Sequence, residues 1–382
     1  MTALRVCHLS STTLESKYFN TLGRGLAAAG VTLFGATLTA PDPPTWLSGH
    51  DDYLYLDATS RLRYPVAAVR LARWLRAKRV GVLQTHLFDA AVVGLVAGRL
   101  ARVPLLVVTR HHSDFHFVSG TRAHIAIDRW SARLADRVVV LGHAVKDHLV
   151  ARERVPAEKI DVIVQGFDFT ALRGTDADGA RVRAEFGLEQ AYVVGVVAAF
   201  YPSKGHAYLF AAAKQLVAEI PNLKLLIVGS GDRAAIDAAA AEHGIAGRVV
   251  AAGFRADVAA CVRAMDVAVH PSLSEAFCQA VVEELAAARP VVATDVGGAS
   301  EAIVDGQGGI LVPPADAPAI ADAIRRLHRD PSFARRIAAE GHRAALANFS
   351  VDRMVAAQID VYQRGLAARA MAGATPSEVA RG

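Results

Sequence analysis

The chain has 382 residues, with 42 Lys and Arg against 37 Asp and Glu for a formal charge of +5, and 53% of its residues are hydrophobic. That length exceeds one ordinary core and fits two domains, and so much apolar material beside 21% charged residues excludes a wholly disordered chain. Cys7, Cys261 and Cys278 are far apart and form no CxxC pair, which argues against a disulfide framework or a structural zinc site and favours a reducing, cytoplasmic setting.

From the N-terminus, MTALRVCHLS lacks a charged region followed by a long apolar stretch, so no signal peptide is expected. The first half then alternates β-rich runs, LRVCHLS, VTLFGATL, VGVLQTH, PLLVVTR, DRVVVLG and KIDVIVQ, with Ala- and Arg-rich stretches of helical character. Each run is a near-continuous apolar block, as in strands buried on both faces of a parallel sheet. Residues 61–79, RLRYPVAAVRLARWLRAKR, hold seven basic residues and no acidic one. Pro65 suits a helix start, and Val66, Val69, Leu71, Trp74 and Leu75 can supply an apolar side. This is either a helix packed on the first sheet with a solvated basic face, or a contact for an anionic lipid or acceptor. Residues 90–108 are apolar but broken by Arg99 and Arg102, and read as a buried helix and strand, not a membrane span.

Residues 173–190, RGTDADGARVRAEFGLEQ, mark a shift to charge and glycine, and the domain boundary is expected there: 1–180 and 181–349. The second half repeats the alternation with YVVGVVAAF, LKLLIVG, RVVAAGF, DVAVHPS, PVVATDV and GGILVPP. The order strand, helix, strand defines an α/β fold with parallel sheets. From residue 331 the pattern is helical, ending in a helix over 350–368 and a flexible tail over 369–382.

Ligands of such sheets bind beyond the carboxyl ends of the strands. The richest loop there is HPSLSEAFCQAVVEELAAARPVVATDVGG. Glu275 precedes a helix expected over 277–288, and Glu283 follows eight residues later. The free N–H groups of a first turn near Ala276 and Phe277 would form an anion site. Carboxylates on either side suit hydroxyl groups, Glu275 a sugar and Glu283 a ribose. Taken alone, the same residues also describe a capped surface helix with two ordinary glutamates. His111 and His112 follow the strand run PLLVVTR, and HHSDFH reads as loop histidines or as a metal cluster.

The segment EAFCQAVVE, with Glu275 and Glu283 in register, resembles the E-x7-E signature of the family-four retaining glycosyltransferases, which have the GT-B fold of two Rossmann-like domains facing a cleft. FYPSKGH resembles the family's phosphate loop with its lysine at Lys204; IVGSGD, with Gly229, and VVAAGFRADV, with Phe254 and Arg255, resemble the next two loops, the second of them beside the nucleobase. VVTRHHSDF, ADRVVVLGHAV and IDVIVQGFD follow the family pattern more thinly in the first half, where the histidine matching His111 sits against the donor sugar. Three departures stand out: Ala199 where the family usually has arginine, SSTTLESKY in place of paired glycines, and Gln165 for the asparagine of an NG pair. Lys17, Arg110 and Arg233 are the loop cations available to substitute.

The resemblance implies retaining transfer of a hexose-type sugar from a UDP- or GDP-sugar to a glycan, lipid or small-molecule acceptor, as in cell-surface glycan assembly. It implies catalytic roles for Glu275, His111 and Lys204, and donor binding by Glu283, Ala276, Phe277, Gly229, Phe254 and Arg255. It implies no metal and no cofactor, because a helix dipole and basic side chains take the metal's place. It implies a C-terminal helical segment packed back on the first domain. No recognition module for nucleic acid accompanies the basic stretch. The expected location is the cytoplasm, with peripheral contact to anionic membrane through residues 61–79. The alternatives are a non-catalytic nucleotide-sugar-binding relative, which Ala199 favours, and a nucleotide-sugar epimerase on the same fold.

Overall fold

In a computed structural model, which describes residues 4–47, 49–111, 120–172, 174–275, 277–303 and 306–373, all twelve apolar runs form parallel strands. The first sheet contains β1 (Arg5–Ser10), β2 (Thr32–Thr37), β3 (Tyr53–Tyr55), β4 (Val82–His86), β5 (Leu105–Arg110), β6 (Arg137–Val140) and β7 (Ile160–Val162). Its order is β3-β2-β1-β4-β5-β6-β7. The second contains β8 (Tyr192–Val197), β9 (Leu223–Val228), β10 (Val249–Gly253), β11 (Val267–His270), β12 (Val291–Thr294) and β13 (Ile310–Val312), in the order β10-β9-β8-β11-β12-β13. Sequence reading missed β3, a half-buried edge strand of three residues that is too short to show an apolar block.

Both faces of each sheet are covered, which explains the unbroken apolar runs. In β1, Val6 enters one cluster with Val82 and Val107, while Cys7 and Leu9 enter another with Leu83 and Leu106. Residues 90–108 form helix Phe88–Ala101 and then β5, and no helix of the described residues is long and apolar enough to cross a membrane.

The chain divides into two units, Met1–Phe167 with Val351–Gly382, and Asp168–Ser350. The crossing therefore lies before residues 174–190, which belong to the second unit and include the helix Asp176–Phe186. Thr175 caps helix Asp176–Phe186, with reciprocal bonds between its backbone and side chain and those of Asp178. Gly179 of this helix packs on Arg263, and Arg183 pairs with Asp266 at 2.9 Å. The charge that suggested a domain boundary is helix capping and ion pairing within the second unit.

The two final helices are Pro331–Asn348 and Val351–Gly373, separated at Phe349–Ser350. The last runs past the expected end at 368, and residues 374–382 of the expected tail lie outside the described residues. It packs on the first sheet, as the resemblance implied: Tyr362 is fully buried and its hydroxyl meets Gln84, Gly166 donates its N–H to Met354 Sδ, and Gly365 rests on Leu105.

In each doubly wound sheet the connections reverse direction between two central strands, β1 and β4 in the first unit and β8 and β11 in the second. The carboxyl ends of these pairs are where such folds hold ligands.

Candidate active site

In the second unit, Glu275 is the point where donors converge. Its Oε1 accepts from Lys204 Nζ at 2.5 Å and from Ser272 Oγ at 2.8 Å, and lies 3.2 Å from His270 Nε2. Burial by itself would raise this carboxyl's pKa, but the bonds and charges of His270 and Lys204 outweigh it and hold Glu275 down to about 2. It is therefore a carboxylate at every physiological pH.

Two glycines bring this pair together. Lys204 ends the turn Pro202–Lys204, and Gly205 follows at φ +69° with its Cα so near the Pro271 carbonyl that a Cβ would lie 1.9 Å from that oxygen. At Gly297, φ +50°, a Cβ would lie 1.6 Å from the Glu275 carbonyl oxygen. A side chain fits at neither position. The Leu273 N–H donates to the Ser203 carbonyl at 2.8 Å, tying the two loops directly, and Thr294 Oγ1 donates to the Ser272 carbonyl at 2.5 Å.

The helix after Glu275 spans Gln279–Ala286, two residues later than the sequence pattern suggested, with Cys278 at its N-cap. Phe277 lies outside the helix, its ring 6.0 Å from that of Phe349. The first-turn N–H groups are thus those of Gln279, Ala280 and Val281, and not those of Ala276 and Phe277; Ala276 is outside the described residues. Glu283 is on this helix and 8% exposed. Its neighbour Glu284, which sequence reasoning passed over, is fully buried with both carboxyl oxygens unpartnered among the described residues. Burial, and then the charge of Glu283, push the Glu284 carboxyl well up, so it is a neutral acid beside an acidic neighbour.

Gly229 follows β9, and its N–H donates to the Gly253 carbonyl at 2.9 Å. Phe254 is 81% exposed after β10, an open aromatic face. Arg255 differs from the expectation of a base contact: its guanidinium holds Glu185 at 2.6 Å and Asp257 at 2.8 Å. Sequence reading also missed His270, Ser272 and His206. The available signal was a polar residue closing an otherwise apolar run, VAVH, at a strand's carboxyl end. His206 is buried, and burial, then the charges of His270 and Lys204, lower it to about 4.

His270, Glu275 and Cys278 each offer a ligand atom within 4.8 Å of the others. Their chemistry fits a lysine better than a divalent cation. The Lys204 ammonium already stands on the carboxylate oxygen, and burial pushes the Cys278 thiol well up, against the thiolate a metal needs.

The substitute cations are tied elsewhere. Arg110 is clamped between Asp128 and Glu153, the latter at 2.6 Å, all three nearly buried. Arg233 pairs with Asp237 at 2.9 Å on an exposed helix face. Lys17 starts helix Lys17–Ala28 in the first unit. In that unit too, His111 lies after β5, its Nε2 3.1 Å from His86 Nδ1; His112 and most of the HHSDFH segment lie outside the described residues.

Comparison with known proteins shows the family and the fold. A family model described as Glycosyl transferases group 1 matches residues 191–330, and one described as Glycosyltransferase Family 4 matches residues 16–171. The 2-deoxystreptamine glucosyltransferase of Streptomyces kanamyceticus is 30% identical over 66% of this chain and 69% of its own length. The alpha-D-kanosaminyltransferase of the same organism is 28% identical over 69% and 71%. The crystal structure of Anabaena HepE in complex with UDP superposes with a TM-score of 0.83 at 21% identity, covering 94% of this chain and all of that one. The chain belongs to the family-four, group 1 glycosyltransferases, and its two parallel-sheet units are the Rossmann-like domains of the GT-B fold.

Proposed function

We propose that this protein transfers a hexose from a UDP-sugar with retention of anomeric configuration, and that its second unit binds the nucleotide. The observation that carries this reading is the Lys204–Glu275 pair: a half-buried carboxylate held ionised by lysine and histidine, with Ser272 donating to the same oxygen, beyond the carboxyl end of β11. In the proposed complex Glu275 accepts hydrogen bonds from the sugar's hydroxyls and Glu283 from the ribose. The diphosphate lies at the N-terminal turn of the helix Gln279–Ala286, with Gly229 beside it and the base against Phe254. An ammonium has three donors, so Lys204 can hold Glu275 and a phosphate oxygen together. As the bond from the anomeric carbon to phosphate breaks, charge grows on the departing oxygen. Fixed donors there stabilise the transition state more than the ground state. The acceptor hydroxyl bonds to the anomeric carbon on the same face, and its proton passes to the leaving phosphate. His111 serves as a contact to the donor sugar. No metal ion is required, because lysine and the helix N-terminus supply the positive field.

Support for a uridine donor comes from relatives: the Anabaena structures hold UDP, UDP with glucose, and UDP-glucose, and an Escherichia coli relative is named a UDP-Gal galactosyltransferase acting on a diphosphoundecaprenol acceptor. We further propose that the first unit approaches anionic membrane through residues 61–79. There Leu62 is 92% and Val66 63% exposed, among the exposed Arg61, Arg63, Arg70 and Arg73. A thermal-shift series with UDP, GDP, ADP and their sugars tests the donor, since a ligand of the native state raises the midpoint with its concentration. A shift with GDP or ADP and none with UDP would overturn the uridine assignment.

A further inference from the structure

Three histidines of the first unit form a line. His8 Nδ1, on β1, lies 3.0 Å from His86 Nε2 at the end of β4, and His86 Nδ1 lies 3.1 Å from His111 Nε2. His8 and His86 are buried at the strand pair where the sheet's connections reverse. Aromatic edges fix the rings: Phe19 stands on His86 at 4.8 Å and Tyr18 on His111 at 5.2 Å between centroids. Burial lowers His8 to about 4, and burial followed by the charges of His8 and His111 holds His86 well below its ordinary value, so both are neutral.

A neutral imidazole carries one N–H and one lone pair. With His8 and His86 neutral, and both hydrogen bonds kept, the protons must all point one way. Either His8 donates to His86 and His86 to His111, leaving a lone pair on His8 Nε2 and an N–H on His111 Nδ1, or every bond is reversed. The buried end decides. His8 Nε2 has no partner among the described residues, and the nearby Trp46 indole N–H is bonded to the Leu14 carbonyl. Reversal would put an N–H at that buried end with no acceptor, the rarer and costlier kind of orphan. Protonating His111 also requires the reversed line and meets the same cost.

We propose that His8 and His86 are positioning residues that lock His111 in its Nδ1–H tautomer, so that His111 meets its ligand as a hydrogen-bond donor and not as a base. The line ends inside the protein, so it offers no exit for a proton and is not a relay. The catalytic consequence rests on the reading that His111 touches the donor sugar, where an N–H suits a hydroxyl or ring oxygen.

The direct test needs no variant. Protein labelled with 15N-histidine is examined by long-range 15N–1H correlation at neutral pH, with His111 assigned by the signals lost in His111→Gln. The expected spectrum has His111 protonated at Nδ1 alone; an Nε2–H tautomer or an imidazolium would overturn the proposal. The second arm compares His8→Leu, which removes the donor, with His8→Asn, which keeps an amide donor at the δ position. In His8→Leu the His111 signals should move to mixed tautomers and kcat should fall about tenfold, with donor KM changed by less than about twofold. His8→Asn should restore both. A His8→Leu spectrum with His111 still wholly Nδ1–H would contradict the lock. The tautomer is read without turnover, so an error in the sugar-contact reading shows separately, as His111→Gln protein with unchanged kcat.

Discussion

At the scale of single residues, the account rests on a carboxyl group whose pKa burial alone would raise and its neighbours hold down. Glu275 titrates near 2 in the folded chain, below its ordinary 4.5. A depressed carboxyl stabilises the fold above its unfolded pKa and loses that contribution as pH falls through its folded one. Lys204→Ala removes one of the groups holding it down. The variant should be less stable than the parent by about 1–3 kcal/mol at pH 7, and the gap should narrow as pH is lowered below about 4. Urea unfolding at the two pH values measures it; a gap independent of pH would mean that Lys204 acts by packing alone. The same variant should lose about 10²–10³ in turnover, as for removal of one donor to a developing oxyanion. Glu283 and Glu275 separate by readout. Glu283→Ala should weaken free UDP by about 1.5–3 kcal/mol, whereas Glu275→Ala should leave UDP affinity nearly intact and lower kcat. Titration calorimetry decides, and equal losses would contradict the division of roles. Glu275, Glu283 and Lys204 were legible because family spacing is written in the chain. His270, Ser272 and the line from His8 to His111 were not, because they depend on which strands become neighbours.

At the scale of elements, the sequence pattern gave strands more reliably than helix ends. Apolar blocks in doubly covered sheets are unambiguous, which is why all twelve runs became strands. The helix after Glu275 begins at Gln279 and not at 277, with Cys278 at its N-cap. In residues 61–79 the pattern put Val66 and Val69 on the apolar side. The helix Tyr64–Ala77 instead buries Ala67, Ala68, Leu71, Ala72 and Leu75, leaving Val66 and Val69 outside with the arginines. Small alanines can pack a face that composition alone credits to larger residues. If that face meets lipid, the protein should sediment with vesicles containing phosphatidylglycerol and not with phosphatidylcholine alone. A Leu62→Ser, Val66→Ser double variant should weaken the binding, as should added salt. Binding that is equal on both lipids would remove the proposal. Arg110 illustrates the opposite case: a cation expected in a loop closes β5 and is structural. Its clamp by Asp128 and Glu153 predicts that Arg110→Leu costs about 3–5 kcal/mol of stability without changing UDP affinity. A loss of nucleotide binding in a well-folded Arg110→Leu protein would contradict it.

At the scale of the whole chain, two Rossmann-like domains of similar size were foreseeable from length and alternation. The place where the chain crosses between them was not. The charged, glycine-bearing segment over 173–190 reads as a domain boundary, but its charges cap and pair a helix of the second unit, and the crossing at Phe167–Asp168 carries no compositional mark. The closing helix Val351–Gly373 completes the first unit by covering β5 and bonding Gln84 through Tyr362, a long-range partnership that no local pattern encodes. The central claim is that this fold transfers sugar from a nucleotide diphosphate by means of Glu275 and Lys204, without a metal. The most direct measurement is release of UDP from UDP-hexoses, with and without acceptor, in excess chelator, by the parent and by Glu275→Ala. The account predicts release that persists in chelator and is lost in Glu275→Ala while UDP still binds. Release abolished by chelator and restored by manganese or magnesium, or undiminished in Glu275→Ala, would contradict it.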